Sequence, residues 1–322
     1  MSTVFLQIGQ CGNQVGHSFW KKVIKDEDVK KSKCFLDNEG HLRSVAVDSE
    51  SKVLKKITRG LPYRKSGDDH LLDDTLNAIR KQVEKCDCFT GIITLHSLTG
   101  GTGSGFGSRL TESLREEYPL SHLMSNSDCV VLTHNDDVLY RIQKRTKTEA
   151  VSFAHINDAI ASHLSGLFLP TDSLRTSGVL EWSRGKCYVL CLQIPDAIQY
   201  SSTGAVCVAR GDSTGGFLLH ASNLEPKLRQ GLNCVDWNPF PIDLWNARTN
   251  GCGPKGSASL TVAMNSSSIV EYLERVMDRS RVMYDAGAYL HWYWRHGSEQ
   301  EDFTSGFDTV QTVIDNYKDA IT

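Results

Sequence analysis

A glycine-rich run, Thr99 to Gly105, carries the strongest chemical signal in the sequence. It has four glycines in seven positions, and it separates a predicted strand, Gly91 to Leu98, from a predicted helix. Glycine permits positive φ angles and close approach of the backbone, and free N–H groups at a helix start can face an anion. The run is neither a Walker loop nor a GxGxxG fingerprint. We predict that it binds phosphate; the alternative is a flexible turn that lets a helix pack closely.

A second turn, Gly9 to Gln14, follows directly on the predicted strand Thr3 to Ile8. Its amide side chains, on Gln10, Asn13 and Gln14, have the chemistry to contact phosphate or sugar. Glutamine and asparagine in turns are usually solvated or act as caps, so this segment alone is a weak signal.

Two acids, Asp48 and Glu50, follow the candidate strand Val45 to Val47. Mg²⁺ prefers few carboxylates together with substrate phosphates, and these acids could hold it directly or through water. The local pattern favours the alternative, in which they are solvated loop acids.

Strands, glycine turns and helices alternate through the first half of the chain. This pattern is typical of a doubly wound α/β sheet, whose ligands bind at the carboxyl ends of the strands. Hydrophobic spacing predicts an amphipathic helix over 71–85, a strand over 129–132 and a buried helix from Ile156 to Leu167. The sequence pattern favours strands after about residue 175 and favours helices again over 268–295. We therefore predict three units: a nucleotide-binding domain (1–175), a β-rich intermediate domain (176–264) and a helical region (265–322).

The composition is that of an ordinary globular protein. The chain has 322 residues, 40% of them hydrophobic and 23% charged, and a net charge of −3. This excludes a mostly disordered chain and disfavours nucleic acid as a partner. No apolar run approaches the roughly 20 residues of a membrane helix, and the first residues do not resemble a secretory signal. We expect a cytoplasmic protein with reduced thiols.

A pair of cysteines and a run of aromatic residues have less specific interpretations. Cys86 and Cys88 lack a second pair of ligands, so a buried pair of cysteines before a strand is favoured over zinc. The aromatic run Trp292 to Trp294 is typical of core packing or a buried helix end more often than of a partner surface.

Two segments resemble signatures of the tubulin superfamily: Gly9-Gln-Cys-Gly-Asn-Gln-Val-Gly16 and Thr99-Gly-Gly-Thr-Gly-Ser-Gly105. Later segments, 265–271, 288–294 and 301–304, also resemble tubulins, so the similarity spans both ends of the chain. The sequence is identified as a divergent member, most similar to the delta or zeta class and apparently shortened. The implied fold is a Rossmann-like GTPase sheet with a smaller α/β intermediate domain and C-terminal helices.

The resemblance implies that the chain binds GTP or GDP together with Mg²⁺. Glu50 and Asp48 would lie near the metal and the γ-phosphate. Asn135 would contact the nucleoside, Asn157 would read guanine, and Phe153 would stack in place of the usual tyrosine. The remaining implied GTP-binding residues are Gln10, Cys11, Gln14, Ser97, Gly100, Gly101, Thr102 and Gly103.

The resemblance also implies a cytoskeletal protein of centrioles or basal bodies whose partners are other tubulins or microtubule and centriole proteins. Thr99 replaces the glycine that usually opens the signature. Expected segments are missing between Glu50 and Asp69, after Met124 and after Leu174, and no catalytic acid is assigned. GTP hydrolysis therefore stays open. The alternatives are a pseudo-GTPase that serves as an interaction module at centrioles and, less favoured, a dinucleotide-dependent oxidoreductase, against which the GxGxG spacing argues.

Overall fold

The computed structural model describes residues 2–25, 34–57, 61, 71–87, 89–117, 129–171, 173–174, 188–191, 200–211, 225–247, 257–295 and 297–321. Its strands are β1 (Ser2–Ile8), β2 (Ser44–Val47), β3 (Phe89–Leu95), β4 (Cys129–Leu132), β5 (Ser173–Leu174), β6 (Tyr188–Cys191), β7 (Ser202–Arg210), β8 (Ile242–Ala247) and β9 (Ser259–Ser266). Its α-helices are α1 (Gly9–Val23), α2 (Ser51–Ile57), α3 (Leu71–Val83), α4 (Gly107–Glu117), α5 (Asn135–Thr146), α6 (Phe153–Phe168), α7 (Glu225–Gly231), α8 (Ile269–Asp285), α9 (Leu290–Arg295) and α10 (Gln300–Ala320). A π-helical turn, Gly101–Phe106, leads into α4.

The first sheet has three parallel strands in the order β2-β1-β3. Ile8 pairs with Val47, and Gln7 pairs with Leu95, so the carboxyl ends of the three strands lie side by side. The strands predicted over 3–8, 45–47 and 91–98 are confirmed, the last shifted to Phe89–Leu95. The predicted parallel α/β arrangement is therefore present where the glycine turns begin.

Helices cover both faces of this sheet, as a parallel sheet requires. Leu6 and Ile8 face a cluster that includes Ile79 of α3 and Leu110 of α4. Phe5, on the opposite face of β1, packs in an aromatic cluster with residues of α1 and the following loop: Phe19, Trp20 and Phe35. Hydrophobic burial on both faces fixes the position of β1 at the centre.

A second, six-stranded sheet has the order β4-β6-β9-β7-β8-β5. The β4–β6 and β7–β8 pairs are parallel, and the other pairs are antiparallel. Because β4 precedes residue 175 and β6 follows it, this sheet contains strands from both sides of the predicted boundary. The three domain boundaries stay a prediction.

Helix α6 packs between the two sheets. Ile156, Ile160 and Leu164 join the cluster around Phe5, and Gly166 lies so close to β9 that an added Cβ would sit 2.0 Å from the Thr261 hydroxyl oxygen. The predicted buried helix is confirmed.

Arg210, buried at the end of β7, binds the carboxyl end of α6. Its Nε donates to the Gly166 carbonyl (2.8 Å), and its guanidinium also donates to the carbonyls of Leu169 and Pro170. The last carbonyls of a helix have no partner within the helix, and a cation there is favoured by the helix dipole. One side chain thus fixes α6 to the second sheet.

The C-terminal helices α8 and α10 share a core that includes Ile269, Met277 and Ile314. The helix predicted over 268–295 is interrupted after Asp285, since Gly287 and Tyr289 adopt positive φ angles of 64° and 62°. The aromatic run Trp292 to Trp294 is 41–50% exposed, so the core interpretation was wrong for it. Tyr293 and Trp294 each make an edge-on ring contact with Phe303 of α10.

Cys86 is half-buried and accepts a hydrogen bond from Arg43, while Cys88 lies outside the described residues. The segment 62–67 and the stretch after Tyr118 that contains Met124 also lie outside them. None of the helices in the described parts of the chain combines the length and apolar character needed to cross a membrane.

Candidate functional site

The first glycine turn is the direct junction of β1 and α1. Gly9, with a φ of 70°, is the first residue of α1, and no side chain caps this helix end. The first N–H groups of a helix have no acceptor within it, so this end is suited to bind an anion. Gly12 lets α1 approach β3 closely, because an added Cβ would lie 2.0 Å from the Leu95 carbonyl oxygen.

The second glycine turn is wound as the π-helical turn that precedes α4. Gly100, with a φ of 87°, occupies its N-cap position without a side-chain cap. Both the backbone N–H and the hydroxyl of Ser104 donate to the Gly100 carbonyl, at 3.0 and 2.7 Å. The N–H groups of Gly101, Thr102 and Gly103 precede these bonds and have no intrahelical acceptor. Single π-helical turns associated with α-helices are frequently found at functional sites.

The two turns lie against each other. A Cβ added to Gly9 would be 3.1 Å from the Gly103 nitrogen, and one added to Gly103 would be 3.1 Å from the Ser97 carbonyl oxygen. The predicted clusters therefore converge in space, with backbone facing backbone and little room for side chains between them.

The end of β2 brings Asp48 to the same edge. Asp48 is only 8% exposed, and its Oδ1 accepts the Glu50 N–H at 3.1 Å. Its Oδ2 is buried without a hydrogen-bond partner in the described structure. The solvated-acid interpretation was therefore wrong for Asp48, because the residue lies at the protected edge of the sheet; Glu50 is exposed, as that interpretation expects.

Two contacts that the sequence did not predict connect these segments. The Asn13 amide, fully buried, donates to the Val47 carbonyl at 2.8 Å and ties α1 to the end of β2. The Ser49 and Thr102 hydroxyl oxygens lie 2.8 Å apart and tie the acidic turn to the second glycine turn. In the sequence, the position of its hydroxyl between two acidic residues is the feature that could have marked Ser49 as a site residue.

Gln10 and Cys11 are exposed in the first turn of α1. Desolvation by the surrounding protein raises the pKa of the Cys11 thiol, which therefore stays neutral near pH 7. Ser97 supports the start of the second turn, because its hydroxyl accepts the Thr99 N–H at 3.2 Å.

The residues predicted to contact the nucleoside lie on α5 and α6. Asn157 donates from Nδ2 to Oε1 of Gln14 at 3.2 Å, which joins α6 to the first glycine turn across 143 positions of sequence. Phe153 begins α6, is 71% exposed, and precedes Asn157 by one turn on the same face. Asn135 is the exposed first residue of α5, whose Val138 packs in the same core as Ile156.

The structure thus brings together the turns that carry Gln10, Cys11, Gln14, Ser97 and Gly100 to Gly103, with Asp48 and Glu50 beside them. Asn157 joins this group through Gln14. Phe153 and Asn135 are connected to it through the helices that they begin. Oxygen donors on Asp48 and Glu50, next to two hydroxyls, are the ligand types that Mg²⁺ prefers.

Comparison with known proteins agrees with this geometry. Residues 2–67 and 62–143 match the Tubulin/FtsZ family, GTPase domain. This part of the chain has the tubulin GTPase-domain fold. The chain is also similar, over nearly its whole length, to plant beta tubulins.

The tubulin beta-3 chain of Zea mays is 26% identical over 423 residues, covering 97% of this chain and 94% of the relative. The tubulin beta chain of Cicer arietinum is 26% identical over 432 residues, covering 98% and 95%. Both glycine turns lie inside the matched GTPase domain, and Phe153 and Asn157 follow it.

Proposed function

We propose that this protein is a GTP-binding, divergent member of the tubulin superfamily that acts in the cytoplasmic cytoskeleton. The observation that carries the proposal is the convergence of the two glycine turns, in which an added Cβ on Gly9 would lie 3.1 Å from the Gly103 nitrogen. Both turns start helices with uncapped N–H groups at the carboxyl edge of a parallel sheet. That edge is where such sheets bind ligands, and its chemistry suits a triphosphate.

Guanine is the base that the described residues suit. Since the Asn157 Nδ2 donates to Gln14, its Oδ1 remains available to accept the N–H groups on the base edge of guanine. The exposed ring of Phe153, one turn earlier, offers an apolar face for stacking. Asn135 would contact the nucleoside from the start of α5.

Mg²⁺ would be held by Asp48 and Glu50, directly or through water. The buried Oδ2 of Asp48 has no hydrogen-bond partner among the described residues, and a carboxylate oxygen is the type of ligand that Mg²⁺ prefers. When bound, Mg²⁺ neutralises charge on the phosphates. This proposal concerns binding; no residue is assigned to catalyse hydrolysis.

The proposed partners are other tubulins or microtubule and centriole proteins, and the proposed location is the centriole or basal body. The resemblance of Val83-Glu-Lys-Cys-Asp87 and Glu301-Asp-Phe303 to the delta or zeta class supports this. We also propose that internal segments are shortened, since the alignments with the plant tubulins extend over 423 and 432 residues against 322 in this chain.

Titration with a fluorescent GTP analogue, with and without Mg²⁺, tests the proposal. We expect saturable binding at micromolar concentrations that weakens when Mg²⁺ is removed. Gly103→Val should abolish binding, because its Cβ would press on the Ser97 backbone. Gly105→Ala, in the same turn with open space around it, is the matched control and should bind normally. Absence of saturable binding by the wild-type protein would refute the proposal.

The second candidate is a pseudo-GTPase, a tubulin-like interaction module with weak or no nucleotide binding. The shortness of the chain relative to the aligned tubulins favours it. It predicts that the folded protein fails to bind GTP but still co-sediments with microtubules or unpolymerised tubulin. Saturable, Mg²⁺-dependent GTP binding would reject it.

A further inference from the structure

Ser49 lies in the acidic turn of the candidate site. It lies between Asp48 and Glu50, immediately after β2, and its hydroxyl oxygen is 2.8 Å from that of Thr102. The two residues are 53 positions apart in sequence and belong to turns that follow different strands. The contact is therefore a product of the tertiary fold.

The strand order places this contact across the first glycine turn. Because β1 lies between β2 and β3, the ends of the two outer strands are two strand spacings apart, about 10 Å. The contact between Ser49 and Thr102 spans that distance, and Thr102 lies beside the junction, since its Cβ would be 3.6 Å from a Cβ added to Gly9. The hydrogen bond from Glu50 N–H to Asp48 Oδ1 holds the turn around Ser49 in a defined shape.

The chemistry of the pair suits an anion with more than one oxygen. Each hydroxyl carries one proton and can rotate to donate it. In the present pair, one hydroxyl donates to the other. Ser49 is exposed and Thr102 is partly exposed, so their protons can turn toward an arriving phosphate and form charge-assisted hydrogen bonds.

The position of Ser49 indicates which phosphate group of the nucleotide its hydroxyl would contact. It is flanked by the acids proposed to hold Mg²⁺, and a metal ion held there would neutralise charge on the phosphate that phosphoryl transfer moves. We propose that Ser49 is a further nucleotide-binding residue whose hydroxyl contacts the terminal phosphate and distinguishes GTP from GDP. This inference rests on the proposed GTP-binding function.

The test compares GTP and GDP affinities of the wild type, Ser49→Ala and Ser49→Thr in the presence of Mg²⁺. Ser49→Ala removes the hydroxyl and should weaken GTP at least tenfold while changing GDP less than twofold. Ser49→Thr keeps a hydroxyl and should bind GTP within about threefold of the wild type. Ser305→Ala, an exposed serine on α10, is the control and should change neither affinity.

The outcomes separate this inference from the proposed function. If the wild type binds neither nucleotide, the proposed function fails and this inference fails with it. If the wild type binds both but Ser49→Ala loses GTP and GDP equally, or loses neither, only the role of Ser49 is overturned. A thermal unfolding curve for Ser49→Ala, expected to match the wild type because the side chain is exposed, excludes misfolding as the cause of a loss.

Discussion

Replacing Gly12 by alanine should separate α1 from the sheet edge. An added Cβ at this position would lie 2.0 Å from the Leu95 carbonyl oxygen and 2.8 Å from its carbonyl carbon. Both are backbone atoms of a strand that is hydrogen-bonded to β1, so they cannot rotate away. Since heavy atoms need about 3.5 Å or slightly less between them, α1 must move outward by about 1 Å or more.

Such a shift acts on two contacts of the site. The 2.8 Å hydrogen bond from Asn13 to Val47 would stretch beyond a useful length, leaving a buried amide unpaired. The approach of Gly9 to Gly103 would open as well. Overpacking of this kind costs about 1–3 kcal/mol, and we expect Tm to fall by several degrees and GTP affinity to fall more than tenfold.

Differential scanning calorimetry and the fluorescent GTP titration measure these two effects. Gly105→Ala is the matched control, since an alanine Cβ there meets nothing within 4 Å and the residue is not among those proposed to bind GTP. Gly12→Ala with the Tm and GTP affinity of the control would show that α1 does not need this close approach, and would refute the reasoning.

Three further predictions concern the base, the core and the pH dependence. Asn157→Asp should weaken GTP and strengthen xanthosine triphosphate binding, because a carboxylate no longer matches the base edge of guanine; unchanged selectivity in the same titration would contradict this role. Arg210→Met should lower the free energy of unfolding, measured in urea, by about 2–4 kcal/mol, because the carbonyls of Gly166, Leu169 and Pro170 lose a charged donor. The control Arg275→Met, on the exposed face of α8, should change that free energy by less than about 0.5 kcal/mol. Burial raises the pKa of Cys207 from 9.0 to about 12, so the native state keeps a proton that the unfolded state loses above pH 9. The free energy of unfolding should therefore fall by up to about 1.4 kcal/mol per pH unit from pH 9 upward. Cys207→Ala, measured by urea unfolding over the same pH range, should reduce this slope.

The local features of the site could be predicted from the sequence. Strand periodicity followed at once by glycine placed both turns at the ends of parallel strands, since these signals depend on neighbours in the chain. The tubulin resemblance supplied Asn157 and Phe153, which have no local signature. Their place beside the turns depends on the packing of α6 against α1.

The contacts between distant segments could not be predicted. No periodicity relates Ser49 to Thr102, and the burial of Asp48 depends on the closeness of α1 and the second turn to the end of β2. The pairing of β4 with β6 was missed for the same reason, because an apolar strand does not specify its partner. The break after Asp285 depends on two positive φ angles, at Gly287 and Tyr289, and the second occurs at a residue type that rarely adopts one.

Helix α6 has its two ends in different parts of the protein. Its amino-terminal end carries Phe153 and Asn157, whereas Arg210 holds its last carbonyls to β7. Sixteen helical residues span about 24 Å, and a helix held at one end transmits a push at the other as a tilt. A displacement of the Phe153 end would therefore tilt α6 and act on the six-stranded sheet through the contacts of Arg210. The helix thus couples the candidate-site end of the first sheet to the second sheet.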